Sequence, residues 1–203
     1  MSDGAEAGGR ALVDELAGLV RLAHTALGGV TAVLVDPAGG GDGIAVAEKA
    51  LGELLARVEE DAAATPGGRA GVVVGVHVGC EVEALARLAE RLLEAAWARQ
   101  ERGAFAEWLR PPLRGLAGAA LALVARSADV LRSGTAEGVA DVLSASHEVG
   151  QRQRLLYELL LRERAADPVD VTDLVLLACC YQQCADRAGA IARHAVLFAH
   201  PGP

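Results

Sequence analysis

Apolar residues along this 203-residue chain recur at alternating spacings of three and four, the period of a helix that buries one face. The stretch from Asp170 to His200 shows it most clearly. There Leu174, Leu177, Tyr181, Cys184, Ala188, Ile191, Ala195 and Phe198 make an unbroken a/d seam, which predicts one long helix packed along its length against others. Gln182, Asp186 and Arg193 form a polar stripe on the same helix. Leu12, Leu16, Leu19, Val20, Ala23 and Leu27 set a first helix from about Glu6 to Val35. Ile44, Ala47, Leu51, Leu54, Leu55 and Val58 set a second from Asp42 to about Ala63.

Turn and cap residues place the remaining boundaries. Pro37 and the run Gly39-Gly40-Gly41-Asp42-Gly43 end the first helix. No Lys-Ser/Thr follows that run and no strand precedes it, so it reads as a flexible connector and not as a phosphate cradle. Thr65-Pro66 reads as an N-cap followed by proline at the first helical position. It opens a third helix that ends near Arg102. Gly71 to Val78, at the start of that helix, is rich in Val and Gly, a pattern a short strand would share. Pro111-Pro112 opens a fourth helix, which runs to about Arg132. Ser133-Gly134-Thr135 breaks it, and Thr135 caps a fifth that reaches about Arg164. Asp167-Pro168-Val169-Asp170 repeats the cap-and-proline device, with an acid three residues after the cap, and opens the sixth. The expected fold is therefore all-α: two tandem three-helix bundles, 6–102 and 108–200, joined through Ala104 to Leu113. A repeat of about 97 residues is longer than the usual solenoid unit.

Composition sharpens this reading. The chain is 52% hydrophobic but only 3% aromatic, so its core must be built from Ala, Leu and Val, whose small side chains let helices approach closely. A net charge of −8 excludes a general nucleic-acid binder, which needs a basic surface to displace counterions. Met1 to Arg10 is polar and Gly-rich, unlike a secretory signal, and the sequence shows no apolar run near the roughly 20 residues that span a bilayer. A cytoplasmic setting without membrane insertion follows, with Cys80, Cys179, Cys180 and Cys184 as free thiols.

The third helix of each half carries a similar string: Leu85-Ala86-Arg87-Leu88-Ala89-Glu90 in one, Tyr181-Gln182-Gln183-Cys184-Ala185-Asp186 in the other. Both end in a carboxylate after a small residue. These strings resemble the repeat of the PhoU phosphate-uptake regulators, whose two halves each carry E-x-x-x-D on the third helix. The tail Ala185-Asp186-Arg187-Ala188-Gly189-Ala190-Ile191-Ala192-Arg193 resembles the family's second-half pattern, roughly A-D-H-A-x-N-I-A-E, and Leu197-Phe198 and Gly202 fit its ending. The resemblance implies a six-helix PhoU-like architecture and metal ions such as iron or zinc on the paired acids. It also implies a homodimer, with a phosphate-transporter ATPase and a sensor histidine kinase as partners.

The motif is degenerate here. Carboxylates at i and i+4 stand one above the other on a helix face and can hold a metal between helices. The first acid of each pair falls on Ala86 and on Gln182, and the second on Glu90 and on Asp186. Each half has lost one carboxylate, so a metal at Asp186, Glu90 and Gln182 would have a reduced ligand set. A register starting at Glu83 places Arg87, which is no ligand, four residues on. The bland alternative makes Asp186 a solvated or salt-bridged residue, with Arg187 or an Arg on a neighbouring helix as its partner.

A second ligand set is soft. Cys180 and Cys184 share a helix face at i, i+4, and His77 and Cys80 lie three apart. Cys180, Cys184, Asp186 and His77 would form a site if the two third helices meet. Buried thiols acting as small hydrophobes are the alternative. His24, His147, His194 and His200 are scattered, and no Ser-His-Asp set is recognisable. The functional expectation is a non-catalytic regulator resembling PhoU, modulating phosphate transport or phosphate-starvation signalling through protein contacts. The alternatives are a helix bundle with a Cys/Asp/His metal site, or a plain helical scaffold or dimerisation module.

Overall fold

Seven-residue periodicity becomes six helices in the computed structural model, which describes residues 2–36, 41–61, 69–162 and 167–199. They are α1 (Ser2–Val35), α2 (Gly41–Asp61), α3 (Arg69–Arg102), α4 (Arg110–Ser133), α5 (Ala136–Arg162) and α6 (Pro168–Ala199). A 3-10 turn, Glu107–Leu109, leads into α4. No strand occurs among the described residues, and the Val-rich start of α3 is helical. Its valines divide by helical period: Val74 and Val78 are buried, while Val72, Val73 and Val76 face outward. Thr65-Pro66, Pro37 and the first two residues of the glycine run, Gly39 and Gly40, lie outside the described residues, and Gly41 to Gly43 begin α2.

The predicted ends rest on visible caps. The Asp167 carboxylate accepts the Val169 N–H at 2.8 Å ahead of Pro168, the first residue of α6. The Thr135 hydroxyl accepts the Gly138 N–H at 3.3 Å at the start of α5. Gly134 ends α4 in the left-handed region (φ 63°), and its N–H bonds the Val130 carbonyl. Gly103 (φ 91°) turns the chain out of α3. Beyond it, Phe105 and Leu109 are buried and anchor the connection between the halves.

Four helices form a central ring. α1 packs on α3 and α4, and α6 packs on the same two. α2 flanks the ring against α1 and α3, and α5 flanks it against α4 and α6. The apolar residues make one continuous core through all six helices. Every described member of the predicted α6 seam is buried; the Phe198 side chain lies outside the described set. Ala178, Ala185 and Ala192 add a second buried row that the seam alone does not predict. α6 needs both rows because it is covered from three sides.

Small residues decide how close the helices come. A Cβ on Gly29 of α1 would sit 2.6 Å from the Gly43 carbonyl of α2, and a Cβ on Gly43 would meet the Gly29 carbonyl at 2.6 Å. Gly43 is thus a crossing point in the first turn of α2, not part of a loose connector. The Ala-rich face between Gly115 and Ala125 is used within the chain, where Leu116, Ala117, Ala120, Leu123 and Val124 are buried. Contrary to the expectation that no apolar stretch approaches spanning length, Gly8–Val35 is by length and composition sufficient to cross a membrane, because Gly and Ala between its Leu and Val residues keep the whole helix apolar. In this fold it is a core helix, covered by α2, α3 and α4.

Candidate functional site

The two third helices, α3 and α6, meet along their length and run antiparallel. One end of the seam joins Arg99 to Asp170 and Asp173, and toward the other end Glu81 pairs with Arg187 at 3.1 Å, one to two turns before His77 stacks on His194. This seam carries both degenerate motif strings.

At the second-half motif, Gln182 Nε2 donates to Asp186 Oδ1 at 3.0 Å. Gln182 Oε1 is buried without a hydrogen-bond partner, facing Gly150 of α5. Asp186 is exposed, and Arg187, its expected partner, turns to Glu81 instead. At the first-half motif Ala86 is buried in the core and Glu90 is half-buried. The i, i+4 carboxylate pair of the resemblance is therefore an amide–carboxylate hydrogen bond in one half and an alanine–glutamate step in the other. Among the described residues no three His, Cys, Asp or Glu side chains gather where they would hold a metal. These residues do not fit a multinuclear metal cluster.

The thiols diverge. Cys184 points into the core, where burial raises its pKa far above the usual thiol range. Cys179 turns toward α5, its Sγ 3.3 Å from the Tyr157 hydroxyl. Burial raises the pKa of Cys180 as well, with Arg91 opposing the shift. In an antiparallel pair His77 lies opposite His194, ten residues from Cys184, or about 15 Å along the helix. The third helices do meet, but they do not bring His77 to Cys180, Cys184 and Asp186. Burial holds the Cys180 and Cys184 thiols protonated, which makes these two poor ligands and poor nucleophiles.

Two polar assemblies escaped the sequence reading. The Arg99 guanidinium is buried; it bonds Asp170 Oδ1 at 2.7 Å and Asp173 Oδ2 at 2.6 Å, and lies 4.1 Å over the Phe105 ring. Arg102 adds a third cationic contact to Asp173 at 3.0 Å. The cluster sits where the C-terminus of α3 meets the N-terminus of α6, so the arginines and the aspartates each lie at the helix end whose dipole favours their charge. Elsewhere, the fully buried Tyr181 spans the ring diagonal from α6 to α1, its hydroxyl 2.9 Å from Thr31 Oγ1. Thr31 Oγ1 donates to the Leu27 carbonyl at 2.7 Å, so the tyrosine is the donor in the pair. Sequence offered one signal for the first assembly: bases in the last turn of one helix and acids in the first turn of another. It offered none for the second.

A shallow cleft between α1 and α4 is lined by Thr31, Asp36 and Arg114 and floored by Gly28 and Gly118. It contains no nucleophile paired with a base.

No family model matches the sequence. No curated protein matches it either. Among solved structures it is similar to the crystal structure of PhoU from Pseudomonas aeruginosa, with a TM-score of 0.76 at 12% identity, covering 97% of this chain and 99% of that one. At that identity the likeness shows the fold, and the fold of this chain is that of PhoU.

Proposed function

We propose that the chain is a non-catalytic regulator of phosphate transport or phosphate-starvation signalling that acts through protein contacts in the cytoplasm. The observation that carries this reading is the end-to-end likeness to PhoU, which extends over both halves of the chain. The repeats 6–102 and 108–200 would be its two structural units. Cys180 and Cys184 support a non-enzymatic role, because burial favours their un-ionised form. The partners in this reading are a phosphate-transporter ATPase and a sensor histidine kinase, whose phosphate-replete state the helical surface favours by binding it more tightly. A homodimer belongs to the same reading, and the outward valines Val72, Val73 and Val76 of α3 support it.

The regulator works without a multinuclear cluster at the motif positions. Ala86 supplies no ligand, and the amide of Gln182 already satisfies Asp186. Co-purification of the tagged protein from phosphate-replete cells tests the reading. The transporter ATPase or the kinase is expected in the eluate, with no more than one equivalent of metal per chain. Recovery of neither partner, against a positive control from an authentic PhoU, would refute it.

A further inference from the structure

The seam between α1 and α4 is closed at one end and open at the other. Toward the closed end Arg21 of α1 and Asp129 of α4 reach across it and pair at 3.1 Å. Toward the open end the same two helices leave a cleft of about 430 Å³. Its floor is small and apolar: Gly28, Ala32 and Val35 from α1, and Gly118 from α4. A Cβ on Gly28 or on Gly118 would meet nothing within 4 Å, so there is room above both for a small side chain. Thr31 lies there too, but its hydroxyl is engaged inside the fold by Leu27 and Tyr181. The polar groups on offer are therefore the two exposed side chains at the rim, Asp36 on the α1 side and Arg114 on the α4 side. Both line one cleft, yet among the described residues neither has an ion-pair partner.

We propose that this cleft binds a small zwitterion, a free aliphatic α-amino acid, with its carboxylate on Arg114 and its ammonium on Asp36. The backbone favours the same orientation. α1 and α4 run antiparallel, so the cleft brings the last turn of α1 beside the first turns of α4. The end of α1 carries partial negative charge and attracts an ammonium, and the start of α4 carries partial positive charge and attracts a carboxylate. Arg152 of α5 adds to the positive side, with its guanidinium 3.4 Å from where a Cβ on Gly115 would sit. The lining disfavours other small solutes. A phosphate ion would gain Arg114 but be repelled by Asp36, and a metal cation would meet one carboxylate and a guanidinium. An aliphatic side chain suits the floor, where Val35 and the small residues would take it out of water. Because both charged groups stay in contact with solvent, the expected affinity is millimolar. Such a site is independent of the phosphate reading, and its absence would leave that reading untouched.

Nuclear magnetic resonance titration of the isotopically labelled full chain with L-leucine is the test. L-Leucine should give saturable shifts at the amides of Gly28, Ala32 and Gly118. Leucinamide, which lacks the carboxylate, and isocaproate, which lacks the ammonium, should each bind about threefold more weakly or worse. Arg114→Gln and Asp36→Asn should weaken L-leucine binding by about the same factor, while Arg21→Gln leaves it unchanged. Gly118→Leu places its side chain in open space, so it should fold as the wild type does and abolish the shifts. The proposal is overturned if L-leucine gives no saturable shifts, or if Gly118→Leu or either charge variant binds it as the wild type does. It is equally overturned if leucinamide and isocaproate match L-leucine, or if inorganic phosphate binds the cleft more tightly.

Discussion

Replacing Arg99 by Met removes the charge at the α3–α6 junction while keeping the apolar stem. The Arg99 side chain is 6% exposed, and the carboxylates of Asp170 and Asp173 are each 20% exposed. Losing one partner of a buried ion pair typically costs about 3–5 kcal/mol, because the other partner is left desolvated. Two features reduce that here. The carboxylates keep some water, and Arg102 stays on Asp173 at 3.0 Å. The expected loss is therefore about 2–4 kcal/mol, or roughly 5–15 °C in Tm for a chain of this size. Urea unfolding followed by far-ultraviolet dichroism measures it, and an unchanged m-value confirms that the native state keeps its compactness. Arg102→Met, on a side chain 43% exposed, should cost no more than about 1 kcal/mol. The triple variant Arg99→Met, Asp170→Leu, Asp173→Leu should recover most of the loss, since no desolvated charge is left unpaired and the freed Arg102, 43% exposed, keeps its water. A cost below about 1 kcal/mol for Arg99→Met would refute the claim that this cluster is a desolvated network.

Other perturbations follow from the same geometry. Tyr181→Phe should cost only about 1 kcal/mol, because Thr31 keeps its bond to Leu27, whereas Tyr181→Ala should cost about 3–5 kcal/mol by opening a cavity on the ring diagonal; thermal melts separate the two. Gly29→Ala drives a methyl group to 2.6 Å from the Gly43 carbonyl and should cost about 1–3 kcal/mol, while Gly28→Ala, next to it in open space, should stabilise by up to about 1 kcal/mol. Burial holds His24 and His194 below the ordinary histidine value of 6.5, so the unfolded chain binds more protons than the folded one as pH drops through that value. Tm should therefore fall between about pH 7 and about pH 5, and the double variant His24→Gln, His194→Gln should flatten that slope. An identical slope in the variant would show that other groups carry the acid sensitivity.

The helices were legible because their signals are local. The α6 seam, the caps at Asp167 and Thr135 and the paired prolines at Pro111 each act within one or two turns of chain. The start of α3 was ambiguous because Val and Gly also suit a strand; burial of Val74 and Val78 on one helical face resolves it. What sequence could not supply was register between helices. Cys180, Cys184 and Asp186 share a helix with His194, yet the antiparallel pairing sets His77 opposite His194 and far from the thiols. The same pairing takes Arg187 away from Asp186 and gives it to Glu81. Gly43 looked like linker because its close partner, Gly29, lies on another helix. The Tyr181–Thr31 bond joins residues 150 positions apart, and no periodicity encodes it.

The regulatory reading is tested most directly by deleting the gene and measuring phosphate-responsive transcription in phosphate-replete medium. The account predicts that the phosphate-starvation genes switch on despite ample phosphate, and that a plasmid copy of the wild-type gene silences them again. Unchanged expression in the deletion strain, in a host whose phosphate response is otherwise intact, would contradict it and leave this chain a helical scaffold with another task.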